Sequence, residues 1–285
     1  MRIVSWNMNR RGTSAGHHQR AWEYLQNVLR PDVALVQEAE PPDEFTQRVY
    51  VPIDKARFNW GSAVVALHPD LRIQPRRRVA LADSYLDAVA PDELPDSHPG
   101  ACAVADVLNA SNERLLTAIS LYGQWEMTPG GNDMFACARL HRMLSDLTGI
   151  LATSRRHPVL IAGDLNVTTQ FPRAKPSQAE KDAASAADAA FARMRAWGLA
   201  DCLAATAAER PPLPHCTCLD GSACSHVQTF RSNNQIDSRP TQLDYVFGSA
   251  SVFSKASRCT VDHSPAAWQL SDHCPLIVDF ALQSH

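Results

Sequence analysis

Residues 159–166 read VLIAGDLN, an apolar run that stops at Gly163 and gives way to Asp164 and Asn166 on alternate positions. A short apolar run closed by glycine is the pattern of a buried strand emerging at a sheet edge. Side chains along a strand alternate between faces, so Asp164 and Asn166 project to the same side while the chain stays extended. One supplies an anionic base or metal ligand and the other a neutral donor and acceptor, a combination suited to a water molecule and a phosphate oxygen. An Asp/Asn turn after a strand would carry the same letters, so the reading rests on whether the pattern recurs.

It recurs at both ends of the chain. Residues 2–9 (RIVSWNMN) are apolar and β-prone until Asn7 and Asn9. Residues 17–29 space Ala21, Trp22, Leu25, Val28 and Leu29 as a helix does, and Pro31 stops it. Residues 32–38 (DVALVQE) form a second buried strand ending in Gln37 and Glu38. Residues 242–247 (QLDYVF) form a short strand with Asp244 embedded in it, and 270–280 (LSDHCPLIVDF) place Ser-Asp-His just before a last apolar strand.

Between these, residues 45–50 are ambiguous. Residues 61–68 and 71–81 are predicted as two antiparallel strands joined around Pro69 and Asp70. The second carries Arg72, Arg76, Arg77 and Arg78, either a solvated edge or a strip facing phosphates. Residues 82–100 read as a surface loop, and 101–108 with 114–121 as another strand pair running into Tyr122. Helices are predicted over 133–151, capped near Asn132, and over the Ala-rich 179–197, ending before Gly198. A strand is predicted over 252–261, and 171–177 and 211–225 are irregular. With no repeat or Gly/Ser linker, residues 1–285 read as one domain, strands in two groups with helices outside.

Composition narrows the function classes. The net charge of −3 offers nucleic acid no whole-protein attraction, so any basic surface must be local. No run is long enough to span a membrane, and Arg2 leads at once into a strand-like IVSW rather than an export signal. A cytoplasmic protein with its eight cysteines reduced is the expectation, and a monomer is the default.

The polar residues at strand ends are Asn7, Glu38, Tyr122, Asp164, Asn166, Asp244, Asp272 and His273. A carboxylate-rich set with one His suits a hard, oxygen-loving ion such as Mg²⁺ or Mn²⁺. There is no GxxxxGK[ST] loop and no GxSxG elbow, which argues against P-loop nucleotide hydrolysis and serine-hydrolase chemistry.

Through SWN at 5–7, QE at 37–38, GDLN at 163–166, LDYVF at 243–247 and SDHCP at 271–275, the chain resembles the endonuclease/exonuclease/phosphatase superfamily. That superfamily includes DNase I, AP endonucleases, neutral sphingomyelinases, inositol polyphosphate 5-phosphatases and several deadenylases. The five motifs stand in the family's order across nearly the whole chain. The resemblance implies an α/β (α+β) fold, a four-layered sandwich of two packed β-sheets flanked by helices. It makes Glu38 the main metal carboxylate, with Asn7 and Asp272 near the ion or its waters. Asp164 matches the aspartate that orients or deprotonates the attacking water, and Asn166 its phosphate-binding partner. His273 would contact the scissile phosphate, with Asp244 holding its other ring nitrogen. Tyr122, or Ser120 two residues earlier, would be a phosphate ligand.

Two departures weaken an assignment to the AP endonucleases in particular. Gly123-Gln124-Trp125 replaces their Pro-Asn-containing turn, and Asn9 stands where many of them have Asp.

A second cluster, CTCLDGSACSH, supplies Cys216, Cys218, Cys224 and His226 after His215. These are ordinary thiols, or four soft ligands that a tetrahedral structural Zn²⁺ could organise.

The expected activity is a Mg²⁺-dependent phosphodiesterase, a nuclease cutting nucleic acid by in-line attack of water. Arg10, Arg11, the Arg72–78 strip and Trp125 are the candidate nucleic-acid contacts. The alternative is a phosphatase or phosphodiesterase on a phosphoinositide, sphingomyelin or other small phosphoester. A non-catalytic binding module is disfavoured, because no charged member of the constellation is missing.

Overall fold

The computed structural model describes residues 1–10, 13–53, 59–79, 93–95, 97, 100–124, 136–170, 177–207, 210–211, 213–214, 216, 224–232 and 240–281. Two six-stranded sheets lie face to face. The first runs β13 (Ala256–Val261), β14 (Leu276–Phe280), β1 (Arg2–Asn7), β2 (Val33–Ala39), β4 (Gly61–Ala66), β3 (Arg48–Pro52). The second runs β11 (Leu199–Asp201), β12 (Asp244–Ser249), β10 (Val159–Asp164), β9 (Arg114–Leu121), β8 (Cys102–Leu108), β5 (Arg72–Pro75). A small parallel pair joins β6 (Arg77–Val79) to β7 (Glu93–Pro95).

Each sheet is buried on both faces at its centre, which is why β2 and β10 read as apolar runs up to their polar carboxyl ends. Between the sheets, Ile3, Leu35 and Val64 of the first meet Ala105, Ala118 and Leu160 of the second. On the outer face of the first sheet, helix α1 (Ala15–Tyr24) lays Trp22 against Trp6, Val36 and Val65. On that of the second, α2 (Ala136–Asp146) and the short α3 (Thr148–Leu151) pack with α4 (Gln178–Ala196) over Ile119, Ile161 and Phe247. The result is the four-layered α/β sandwich implied by the resemblance.

Local chemistry sets the helix ends. Ser14 caps α1 by accepting from the His17 N–H, and a wider π-type turn at Leu25–Leu29 follows before Arg30 turns left-handed (φ 49°) ahead of Pro31. Ser177 and Glu180 cap α4 reciprocally, and Gly198 (φ 80°) ends it. Among the described residues, no helix is long and apolar enough to cross a membrane.

Three local expectations are corrected. The strands on either side of Pro69 and Asp70 are not a hairpin: β2 and β3 already occupy both edges of β4, so the chain crosses to the other sheet and β5 pairs with β8. The expected strand over 252–261 is split. Its first part is a helical turn, α6 (Ala250–Phe253), following α5 (Cys202–Ala205) in chain order, which sets Val252 against Gly248; only Ala256–Val261 is extended. The ambiguous stretch at 45–50 becomes β3 from Arg48. The proposed cap Asn132 and the loop at 171–176 lie outside the described residues.

Candidate active site

The polar residues converge because of strand direction. β1 and β2 are parallel, as are β9 and β10, so their carboxyl ends deliver Asn7, Glu38, Tyr122 and Asp164 to one end of the sandwich. β12 runs antiparallel to β10 in a register that sets Asp244 directly opposite Asp164. The last helix, α7 (Pro265–Leu270), leads into the Ser271–Asp272–His273 turn, which enters from the first sheet just before β14. That turn is pinned by Ser271 Oγ donating to the Asn7 carbonyl at 2.7 Å and by Trp6 Nε1 donating to the His273 carbonyl at 2.9 Å.

Side-chain bonds among the site residues then cross the seam between the sheets. Asn7 Nδ2 donates to Asp164 Oδ2 at 2.8 Å, the Tyr122 hydroxyl donates to Glu38 Oε1 at 2.6 Å, and His273 Nδ1 lies 2.8 Å from Asp244 Oδ2. His273 Nε2 is 3.7 Å from Asp164 Oδ2, so each ring nitrogen faces a carboxylate. Asp164 also accepts from Asn166, from its backbone N–H at 2.8 Å and its amide at 3.1 Å. Asn166 is left-handed (φ 52°), a conformation asparagine tolerates, so the two polar residues of GDLN meet through a turn rather than along an extended strand.

The electrostatics follow from burial and charge. Burial raises the Asp164 carboxyl to about 7, assisted by Asp244 and opposed by His273, Asn7 and Asn166. Burial alone would lower His273, but Asp244 and Asp164 outweigh it and raise the imidazole to about 10. The ligand atoms of Asp164, Asp244 and His273 lie within 4.8 Å of one another, close enough to hold a metal ion. A proton on each nitrogen of His273 satisfies the same three groups.

Glu38 is a different case. Its side chain is buried at 8% exposure, its backbone is left-handed (φ 45°), and it sits where the β2–β4 register shifts. A bulge that forces glutamate into this conformation is unfavourable and re-aims a side chain. Among the described residues no Lys, Arg or His pairs with Glu38; its partner is the Tyr122 hydroxyl. A buried carboxylate without a cation is costly, a demand that a divalent ion would meet. Asn7 Oδ1 already accepts from the Asn9 N–H at 2.9 Å. Asp272 is half-buried, and its charge contributes to raising His273.

Of the two candidates at the end of β9, Tyr122, just past the strand, reaches Glu38, whereas Ser120 is wholly buried between the sheets. Ser120 donates to the Val36 carbonyl and accepts from the Gln37 amide at 2.9 Å. Sequence reasoning passed over Gln37 as a functional residue, although its polar side chain in a buried strand was a visible signal. It also passed over Thr229, whose Oγ1 accepts from the backbone N–H groups of Leu243 and Asp244, and Phe230, whose ring lies 4.9 Å from that of His273. These two sit in an irregular stretch with no periodicity to mark them.

The arginine strip is only partly engaged: Arg72 is exposed, and Arg77 stays 75% exposed while it is paired. Arg76 pairs with Asp106 at 2.9 Å, Arg77 with Glu93 at 2.8 Å, and Arg78 donates to the Cys102 carbonyl. Arg10 donates to the Thr13 carbonyl, while Arg11 and Trp125 lie outside the described residues.

A buried Asp–His–Asp set and a buried glutamate, delivered to one end of two stacked sheets, are groups that could serve phosphoester hydrolysis on an α/β sandwich. Residues 4–273 match the model of the endonuclease/exonuclease/phosphatase family, and the chain belongs to that family of phosphoester hydrolases. No curated protein matches the sequence. Among solved structures, an AP endonuclease from Archaeoglobus fulgidus is similar at 16% identity and TM-score 0.59, over 99% of this chain and 100% of that one. The endonuclease domain of TRAS1, a telomere-specific non-LTR retrotransposon, shares 16% identity at TM-score 0.58, over 99% of each chain. The 3'-5' exonuclease from Neisseria meningitidis shares 15% identity at TM-score 0.57, over 99% of this chain and 100% of that one. The fold is the DNase I-like sandwich.

Proposed function

We propose that this protein is a Mg²⁺-dependent phosphodiesterase that hydrolyses nucleic acid by in-line attack of water on phosphorus. The observation that carries the reading is the buried set Asp244, His273 and Asp164, with His273 hydrogen-bonded to Asp244 and 3.7 Å from Asp164, together with a buried Glu38 that has no basic side chain paired with it among the described residues. Asp164, raised by burial, takes a proton from the attacking water near neutral pH. As the new oxygen–phosphorus bond forms and the ester bond breaks, His273 in its imidazolium form donates to the negative charge growing on the phosphoryl oxygens. Asp244 keeps the imidazole oriented and charged, and Tyr122 fixes the Glu38 carboxylate. Asn7 and Asn166 hold Asp164 in place, and Asn166 is the expected phosphate contact. Glu38, with Asp272 and the Asn7 oxygen, would hold the divalent ion, which when bound supplies charge neutralisation at the phosphate and the leaving oxygen.

Nucleic acid is favoured as substrate by analogy with structural neighbours described as an AP endonuclease and as a 3' phosphatase bound to product DNA hairpin. A second reading, a small phosphoester as substrate, is favoured by the engaged state of Arg76, Arg77 and Arg78 together with the net charge of −3. Purified protein with Mg²⁺ or Mn²⁺ is to be assayed against single- and double-stranded DNA, abasic DNA, RNA, phosphoinositides and sphingomyelin. Cleavage confined to the polynucleotides supports the nuclease; cleavage confined to the lipids or free headgroups overturns it.

A further inference from the structure

Outside the catalytic seam, three soft ligands meet in an irregular part of the chain. The Sγ atoms of Cys224 and Cys216 lie 3.3 and 3.7 Å from His226 Nδ1, and the three atoms are all within 4.8 Å of one another. Around a tetrahedral Zn²⁺ with Zn–S of about 2.3 Å and Zn–N of about 2.0 Å, the sulfur–nitrogen edge is about 3.5 Å. The two sulfur–nitrogen distances bracket that value.

The surroundings of each ligand match. His226 Nε2 lies 2.9 Å from the Thr169 hydroxyl, a partner able to accept its proton in the tautomer that leaves the Nδ1 lone pair toward the two sulfurs. Cys216 Sγ accepts from the Gln170 amide at 3.3 Å, and Cys224 Sγ accepts from the His226 backbone N–H at 3.4 Å. Such N–H donors favour thiolate over thiol, the form a metal needs. Two sulfurs and an imidazole select Zn²⁺ over the hard ions suited to Glu38.

We propose that Cys216, Cys224 and His226 bind one structural Zn²⁺, separate from the catalytic ion. The sequence holds a further thiol in the same motif, Cys218, which lies outside the described residues, so three ligands are assigned. The ion's task follows from what the ligands are attached to. Thr169 and Gln170 follow the GDLN turn that carries Asp164 and Asn166. Gln170 Oε1 accepts from the Gln242 N–H at 2.7 Å, and Gln242 Oε1 accepts from the Val227 N–H at 3.0 Å, next to His226. Gln242 stands two residues before Asp244. The ion thus ties the segment after Asp164 to the strand that begins at Asp244, bracing the wall behind the Asp–His pair.

The test uses the full chain, purified under reducing conditions without a metal-affinity step. Metal analysis should find about one equivalent of zinc after dialysis, lost in Cys224→Ser and in His226→Ala but retained in Asp164→Asn and Glu38→Gln. Wild-type protein exchanged into Co²⁺ should show thiolate-to-cobalt charge transfer with tetrahedral visible bands, a readout that survives if the variants fail to fold. Absence of both zinc and the cobalt–thiolate band from the reduced wild-type protein overturns the proposal. So does a disulfide joining Cys216 to Cys224, or full zinc retention in a Cys224→Ser, His226→Ala double variant.

Discussion

Asp244 and Asp164 face each other across β12 and β10 as register partners, and the ring of His273 lies between them, 2.8 Å from one carboxylate and 3.7 Å from the other. Two carboxylates this close and this buried repel each other, and the imidazolium is the charge that makes the arrangement tenable. Asp244 and His273 are therefore expected to act as one unit.

Asp244→Asn should lower turnover by about two orders of magnitude or more, since it removes the charge that keeps His273 protonated and oriented. Adding His273→Ala to Asp244→Asn should cost far less than His273→Ala alone. Metal affinity, measured by titration calorimetry, should change little. Independent multiplication of the two effects would show that the residues are not coupled.

Tyr122→Phe should raise the Mg²⁺ concentration needed for half-maximal activity about fivefold. The variant loses the hydroxyl donor at Glu38 Oε1, a bond worth roughly 1 kcal/mol. The unfolding midpoint should stay near wild type, because the ring still packs edge-on against Trp60 at 6.1 Å. An unchanged Mg²⁺ requirement would remove Tyr122 from the positioning of Glu38.

Much of this was legible in sequence because strand ends carry their own signature. Asn7, Glu38, Asp164 and Asp244 each interrupt or close an apolar run, and period-2 alternation with parallel strand direction brings such residues to one end of a sandwich. The crossover at Pro69–Asp70 was not legible, since nothing local says that both edges of β4 are taken. Nor were the left-handed Glu38 and the role of Thr229 visible, because both depend on partners distant in sequence. The partners of Arg76 and Arg77 were likewise not visible: Asp106 and Glu93 lie well over ten residues away.

Gly163→Ala should destabilise the fold by about 3 kcal/mol or more. A Cβ there would lie 1.9 Å from the Leu121 carbonyl oxygen, backbone that cannot yield without parting β9 from β10. Urea unfolding measures this directly, and a loss below about 0.5 kcal/mol would mean that the two strands separate more easily than their close approach indicates.

A pH dependence of stability is expected from His18. Its Nε2 lies 3.1 Å from the Trp22 indole nitrogen, the Glu40 backbone nitrogen and the Glu40 carbonyl oxygen alike, and burial, opposed by that carbonyl, lowers the ring from 6.5 to about 4. Between those values the unfolded chain binds the extra proton, so stability falls as pH drops, by up to about 3 kcal/mol across the window. Unfolding free energies at pH 7 and pH 4.5 (about the ends of that window) should differ less in His18→Gln than in wild type. An equal slope in the two proteins would place the acid sensitivity elsewhere.

The most direct measurement is single-turnover hydrolysis of an oligonucleotide phosphodiester by wild type, Glu38→Gln and Asp164→Asn, with Mg²⁺ titrated in after complete chelation. Expected are no cleavage in chelator, recovery of wild type as Mg²⁺ is added, recovery of Glu38→Gln only at much higher Mg²⁺, and no recovery of Asp164→Asn at any concentration. Cleavage by wild type in chelator, or by Asp164→Asn at the wild-type rate, would contradict the assignment of Glu38 to the ion and Asp164 to the attacking water.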